Sequence, residues 1–556
     1  MEPYRVAQLA PPGERHLARP LTPAYSRNRP RRPEVAAEGG TSMPSIRRLA
    51  LVAAGALALS AATFPAQTQA APSLSGSGAQ DAPPPAQLPA DRDWGKTLRE
   101  DATAIHDAIA SSHPGMVNPD DPQFARLNEA QYALALTRAD AADSFADYFY
   151  ALQHYVAAFD DGHLGFGVYG STPDQGKTWP GFIARDDGAR GLVVTFAEPW
   201  AGVPAGAKIA SCDGRDAFQI GNERIGARFG RWELASQRLS FGGWVMIDTG
   251  DPYVAPIKNC VFETPAGAHA VDLDWRPAGP DFYSRYDVFP ARTRGAIGMR
   301  RLDDGRYWIR LPTFNGNPES EDGRGLGGLI TQIAAQADAL RSAPAVVFDL
   351  RGNGGGSSLW SHQIADNLWG PGAFQHAPEP PMTVVWRASH DNLQAMRANL
   401  EKRDANGSLS SEARDWYRNS IAGLEHALAR GDDRWIIRPD LDGGSATAPE
   451  ALAFQPPGGT VFVLTDETCM SACLDAVDLW VRLGAKPIGR ETGADTVYME
   501  VRSVRVPSGL GAMSLPMKFY IGRERGHNQP VTPLHRFDGD MNDTAALEAW
   551  VTTLPH

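Results

Sequence analysis

Two stretches of this chain hold residues that could do chemistry together. Residues 346–356, Val-Val-Phe-Asp-Leu-Arg-Gly-Asn-Gly-Gly-Gly, end an apolar run in Asp349-Leu350-Arg351 and then place four glycines in five positions. Glycines just beyond a buried strand let backbone N–H groups turn toward a bound oxygen with no Cβ in the way. The second stretch is Thr465-Asp-Glu-Thr-Cys-Met-Ser471-Ala-Cys-Leu-Asp, which follows an apolar run at 459–464 and opens a helical pattern. A serine there holds its hydroxyl over the positive end of the helix dipole, where alkoxide and oxyanion character is favoured. The N–H of Ala472 is placed to be one oxyanion donor, with Gly354 or Gly355 supplying the second. Acyl transfer is the chemistry such a set could do. Each piece also has a plainer reading: a glycine turn between strand and helix, and a serine that only caps its helix.

Other anionic ligands fit the glycine stretch less well. A phosphate loop needs a Lys after its last glycine, and none follows Gly356. The dinucleotide pattern fails because Ser357 stands where its third glycine belongs. Metal and cofactor are not expected. Cys469 and Cys473 have no second Cys or His pair at the spacing a zinc site requires.

These residues must be positioned by strands and helices. The run at 345–348 has the length and β-branched content of a buried strand, and 358–368 reads as a helix entered through Ser357 or Ser358. Further strands are expected at 307–311, 459–464 and 513–521, and further helices at 326–341 and 470–483. Strands and helices alternate from 293 onward, which favours an α/β arrangement. Residues 389–429 form a polar helical pair, expected as an insertion on the edge of that core. Upstream, 94–111, 122–137 and 141–159 carry helical apolar spacing. The third ends at Asp160-Asp161-Gly162-His163, with Gly162 suited to a left-handed position. Residues 179–275 read as β structure, with a strand at 191–196 and a tight turn at Asp213-Gly214.

The N-terminus reads as an address. Met43 opens Met-Pro-Ser-Ile-Arg-Arg, an apolar stretch covers 49–62, and Thr68-Gln69-Ala70 offers small residues for cleavage. That is the layout of a secretory signal peptide starting at Met43, too short to span a bilayer comfortably, with an uncleaved anchor as the alternative. Residues 1–42 look disordered and 71–92 read as a linker. The 556-residue chain carries a net charge of −12. Residues 1–70 hold nine Arg and four Glu, so the remainder has 44 basic and 61 acidic groups, a net −17. Nucleic-acid binding and anionic membrane surfaces are disfavoured by that charge. In an exported chain disulfides are permitted. Cys212 and Cys260 could pair, whereas Cys469 and Cys473 read as small buried thiols, because helix geometry makes a bridge between them awkward.

Asp-Leu-Arg-Gly-Asn-Gly-Gly-Gly, then Thr-Cys-Met-Ser-Ala-Cys about 120 residues later, then Ile488-Gly-Arg-Glu-Thr-Gly493, resembles the tail-specific (C-terminal processing) and tricorn-like serine peptidases. The interphotoreceptor retinoid-binding protein repeats are related to that family. Asp161-Gly-His-Leu164 extends the resemblance, and Pro204–Gly214 is similar to the family's PDZ-like module; together it spans roughly residues 93–535. The resemblance implies an α/β (α+β multidomain) fold. It would have an N-terminal helical domain at 93–165, a PDZ-like β module at 179–275 and a ClpP/crotonase-like catalytic domain at 293–556. It implies Ser471 as nucleophile, with Ala472 and Gly355 as oxyanion donors. No Lys stands between Lys486 and Lys518, so the Ser-Lys dyad of one branch is absent. The tricorn-like branch draws a His from the helical region, at the position of His163, and a neutral imidazole suits removal of a hydroxyl proton.

His163 also reads as a helix C-cap, and His362 is the other candidate base. The pattern's Ser before this His is replaced by Gly162. The family's acidic partner falls near 529–532, where no carboxylate stands; Glu491, Glu500 and Asp161 are the candidates for orienting the imidazole. The implied protein is an exported peptidase, periplasmic or secreted, acting on polypeptides and engaging them through their C-terminus. It would not be an integral membrane protein. The alternative is a catalytically silent peptide- or ligand-binding protein on the same fold.

Overall fold

The structure, a computed structural model, describes residues 92–170, 178–279, 282, 286, 288, 295–377, 382–405, 409, 411–437 and 454–555. The expected leader, signal peptide and Met43 start, and residues 71–91 of the linker, lie outside the described residues.

The fold is α/β and multidomain, and a six-stranded sheet carries the two chemical stretches. Its strands run in the order Gly298–Arg301, Tyr307–Arg310, Ala345–Asp349, Thr460–Thr465, Lys486–Gly489 and His535–Arg536. The first pair is antiparallel and the rest are parallel. Side chains alternate across this sheet. Val346, Phe348, Val461 and Val463 face a core built with helices Glu321–Ala335, Leu359–Trp369 and Ala472–Arg482. Ala345, Val347, Phe462 and Leu464 face the other way, toward helix Thr544–Val551. Both faces are covered, which is why these strands are apolar throughout.

The strand ends are tied by charge. Asp349 is wholly buried and lies opposite Leu464 in register. Its carboxylate accepts from Arg310 Nη1 at 2.7 Å, from Arg351 Nε at 2.8 Å and Nη2 at 2.6 Å, and from Trp308 Nε1 at 3.0 Å. Asp466, just past the next strand, accepts the Gly352 N–H at 3.0 Å. The Asp-Leu-Arg step is therefore an anchor that fixes where the glycines leave the sheet. Ligand sites in open parallel sheets form at these carboxyl ends.

A second sheet is antiparallel, in the order Gly165–Val168, Gly511–Ile521, Thr383–Arg387 and Arg434–Ile437, with Tyr498–Arg505 also beside Gly511–Ile521. Helices Trp94–Ser112, Phe124–Ala139 and Phe145–Ala157 cover one face. Helices His390–Ala405 and Ser411–Ala429 cover the other. The helical pair thus does not lie on the edge of the parallel core, as the sequence suggested. Trp386, Met517 and Tyr520 give the second sheet another apolar face, and an apolar face needs a layer over it.

A third sheet orders Phe182–Asp186, Leu192–Ala197, Lys208–Cys212, Asn259–Thr264 and Gly267–Asp272. Cys212 and Cys260 stand opposite each other in register and are disulfide-bonded. Asp213 and Gly214 both have positive φ, 48° and 79°, as a two-residue hairpin turn requires. Residues 217–244, expected as β structure, instead hold short helical pieces including Ala217–Gly221 and Ala235–Phe241. A reciprocal cap between Asp216 and Gln219 starts the first of them.

Asp349→Ala would leave Arg310 and Arg351 buried without their shared anion, so unfolding in urea should show a loss of about 3–5 kcal/mol. A loss below about 1 kcal/mol would remove the anchoring role.

Candidate active site

Ser471 sits where the Thr460–Thr465 strand and its loop enter helix Ala472–Arg482. Its backbone has φ 55° and ψ −128°, and its side chain makes no capping hydrogen bond. The capping role is therefore not what this serine does. A non-glycine residue in such a region costs on the order of 1–3 kcal/mol and persists only where its surroundings hold it. A sharp strand-to-helix turn of this kind lifts a serine hydroxyl clear of the backbone. Ala472 is the first helical residue, so its N–H has no acceptor within the helix. The N–H of Ser471 itself is taken: both oxygens of Asp495 accept it at 3.0 Å.

Cys469 and Cys473 form a disulfide across this turn, with Cα atoms 5.3 Å apart. The expectation of two buried thiols rested on both lying on one helix. Cys469 lies before the helix, in the bent loop, so the separation falls in the range a bridge needs.

The glycine loop closes on this turn. A Cβ on Gly355 would lie 2.8 Å from Ser471 Cβ and 2.6 Å from the Met470 carbonyl oxygen, and Gly355 has φ 99°. Asn353 braces the loop by donating from Nδ2 to the Leu311 carbonyl at 2.9 Å and accepting the Gly355 N–H at 2.8 Å. Ser357 N–H donates to the Phe314 carbonyl at 2.7 Å, and Phe314 N–H to the Gly355 carbonyl at 3.0 Å. Gly355, one expected oxyanion donor, therefore has its N–H engaged with Asn353. Gly354 is exposed and its N–H makes no hydrogen bond among the described residues. Ser358 does not cap the next helix with its side chain; its hydroxyl donates to Asp475 at 2.7 Å.

His163 arrives from the other side. The residue in left-handed geometry after helix Phe145–Ala157 is Asp160, at φ 50°, rather than Gly162. Gly162 is required for space, since a Cβ there would meet Arg231 Nη1 at 2.6 Å. Asp161 is the centre of this loop. Its Oδ1 accepts from the His163 N–H at 2.9 Å and from Thr496 Oγ1 at 2.9 Å. His163 Nδ1 is buried, has no hydrogen-bond partner among the described residues and lies 4.0 Å from the same oxygen. His113 Nδ1 accepts the Gly115 N–H, so in its neutral form the proton is on Nε2, 3.7 Å from Asp161 Oδ2. At that distance the pair is an electrostatic contact, not a hydrogen bond. Burial raises the Asp161 carboxyl, but His113 and His163 outweigh it and hold the group below its ordinary range. Burial lowers the His113 imidazole.

Both halves meet at residues 494–496. Arg231 Nη1 donates to the Ala494 carbonyl at 3.1 Å, Asp495 holds Ser471, and Thr496 holds Asp161. Ser471 and the His163 loop thus dock on one three-residue segment. No hydrogen bond joins Ser471 Oγ to His163 among the described residues.

Of the other candidates, Glu500 is buried against Lys518, with Nζ 3.3 Å away. Glu491 makes no hydrogen bond or ion pair to Ser471 or His163 among the described residues. Burial lowers the His362 imidazole against the opposing pull of Asp475, one helical turn beyond Ser471. Asp495, Thr496, His113 and Arg231 were not assigned roles from sequence. Asp495 and Thr496 stand one residue beyond the Thr492-Gly493 step, and that proximity is the signal the sequence offers for them. Among the described residues no group of three or more His, Cys, Asp or Glu could hold a metal ion, and no helix is long and apolar enough to cross a membrane.

No protein-family model and no curated protein matches the chain. Among solved structures it is similar to mature CPAF, at 13% identity and a TM-score of 0.48 over 80% of this chain and 93% of that one. It is also similar to the photosystem II D1 C-terminal processing protease, at 14% identity and a TM-score of 0.31 over 80% and 93%. A putative peptidase from Parabacteroides merdae gives 13% identity and a TM-score of 0.35 over 82% and 96%. At these identities and scores the likenesses assign no function.

Because the folded Asp161 carboxyl titrates below the unfolded one, its contribution to stability is complete above about pH 4 and is lost as pH falls through the folded value. Asp161→Asn should therefore cost more unfolding free energy at pH 7 than at pH 3. Equal costs in urea titrations at the two pH values would exclude an ionised Asp161 at the centre of this loop.

Proposed function

We propose that this chain is an exported serine-type peptidase of the tail-specific, tricorn-like kind. The observation that carries the reading is the strained backbone of Ser471, at φ 55°, pressed against Gly355. Strain of that sort is retained where it positions a reacting group.

In the proposed reaction Ser471 Oγ attacks the scissile carbonyl and His163 takes its proton. Charge on the carbonyl oxygen is met by the N–H groups of Ala472 and Gly354. The imidazolium then returns the proton to the leaving amine, and water releases the acyl group by the reverse sequence. Asp161 is the orienting carboxylate, near enough to His163 Nδ1 to stabilise the imidazolium. In this reading the six-stranded sheet of the 179–275 module acts as a PDZ-like unit that takes the C-terminal strand of a polypeptide onto a sheet edge. Two disulfides agree with an oxidising compartment, periplasmic or extracellular.

A fluorophosphonate should label the protein at Ser471. Ser471→Ala should abolish labelling, and both Ser471→Ala and His163→Ala should lower kcat on unstructured polypeptides at least about 10³-fold. Peptide binding without labelling or turnover in the wild type would favour instead the silent binding protein on the same fold.

A further inference from the structure

We infer that Cys469, Cys473 and Asp495 are positioning residues that clamp Ser471 in its strained conformation, an inference resting on the hydrolase reading above. The bridge closes a ring of five residues around the nucleophile: Cys469, Met470, Ser471, Ala472 and Cys473. Both half-cystines are completely buried in the core beneath the helix. Cys473 belongs to the first turn of the helix, while the Cys469 N–H donates to the Asp466 carbonyl at 3.1 Å in the loop before it. The covalent link therefore joins the segment before Ser471 to the segment after it. The turn cannot relax by letting the two swing apart.

Asp495 grips the same residue from outside the ring. Both carboxylate oxygens take the Ser471 N–H, and Arg525 Nη1 lies 3.6 Å from Oδ2. Gly493 lets this segment approach, because a Cβ there would lie 2.5 Å from Met470 Cγ. One consequence is chemical. With its N–H bound to Asp495, Ser471 does not supply an oxyanion donor from its own backbone. That role is left to Ala472 and the glycine loop. None of the three clamp residues needs to touch substrate; they act through Ser471.

Four proteins decide the matter: wild type, Cys469→Ala/Cys473→Ala, Asp495→Ala and Asp495→Asn, each checked for folding by thermal melting and assayed well below its transition. The double cysteine variant should lose kcat about 10- to 100-fold with KM nearly unchanged, and fluorophosphonate labelling should slow by the same factor. Asp495→Ala should do likewise, and Asp495→Asn, which restores a neutral acceptor for the Ser471 N–H, should recover part of the rate. Wild-type labelling and kcat in the double cysteine variant would overturn the clamp. If that variant does not fold, wild-type rates in Asp495→Ala overturn it instead. A wild-type protein that is neither labelled nor active would overturn the hydrolase reading itself, a result distinct from either.

Discussion

The site depends on one steric constraint: two loops that leave neighbouring parallel strands meet with no room for a side chain between them. Gly355 lies against Ser471 so closely that any Cβ would overlap it. That approach is possible because Asp349 and Leu464 are level in register, so the two loops start from the same height. It is maintained because Asp349 binds two arginines and Asp466 binds the Gly352 amide. Strand pairing sets the separation, buried charge fixes the exits, and glycine permits the contact.

Buried carboxylates do most of the local organising. Asp161 gathers His163, His113 and Thr496, whereas Asp495 holds the Ser471 backbone beside Arg525. A carboxylate removed from water is stable only if partners replace its hydration, and these partners come from widely separated parts of the chain. The segment 494–496 joins the two groups. Through it the early helical region and the late parallel sheet share one site.

Much of this architecture was legible in the sequence. The strands at 345–349 and 460–465 and the helices after them followed from apolar runs, glycine breaks and capping residues. Boundaries moved by a residue or two, as at Ala345–Asp349 and Leu359–Trp369. Less legible was the strand Gly511–Ile521. It is buried on both faces, so its apolar pattern could not say that it belongs to a second, antiparallel sheet. The helical pair over that sheet was misplaced for the same reason. Gly162 looked like a helix terminator, yet Asp160 took the left-handed turn and Gly162 answered to the bulk of Arg231.

By itself the sequence determined the residue types that could react, Ser471, His163 and the glycines, because local spacing and composition govern strands, turns and helix starts. It determined the alternation of apolar faces for the same reason. Only the tertiary structure decided that Ser471 is strained and not a side-chain cap, that Cys469 and Cys473 are joined, and that Asp161 and Asp495 are the carboxylates that hold the His163 and Ser471 backbones. Those outcomes rest on contacts between residues far apart in the chain. Register, burial and close packing create such contacts, and no local pattern encodes them.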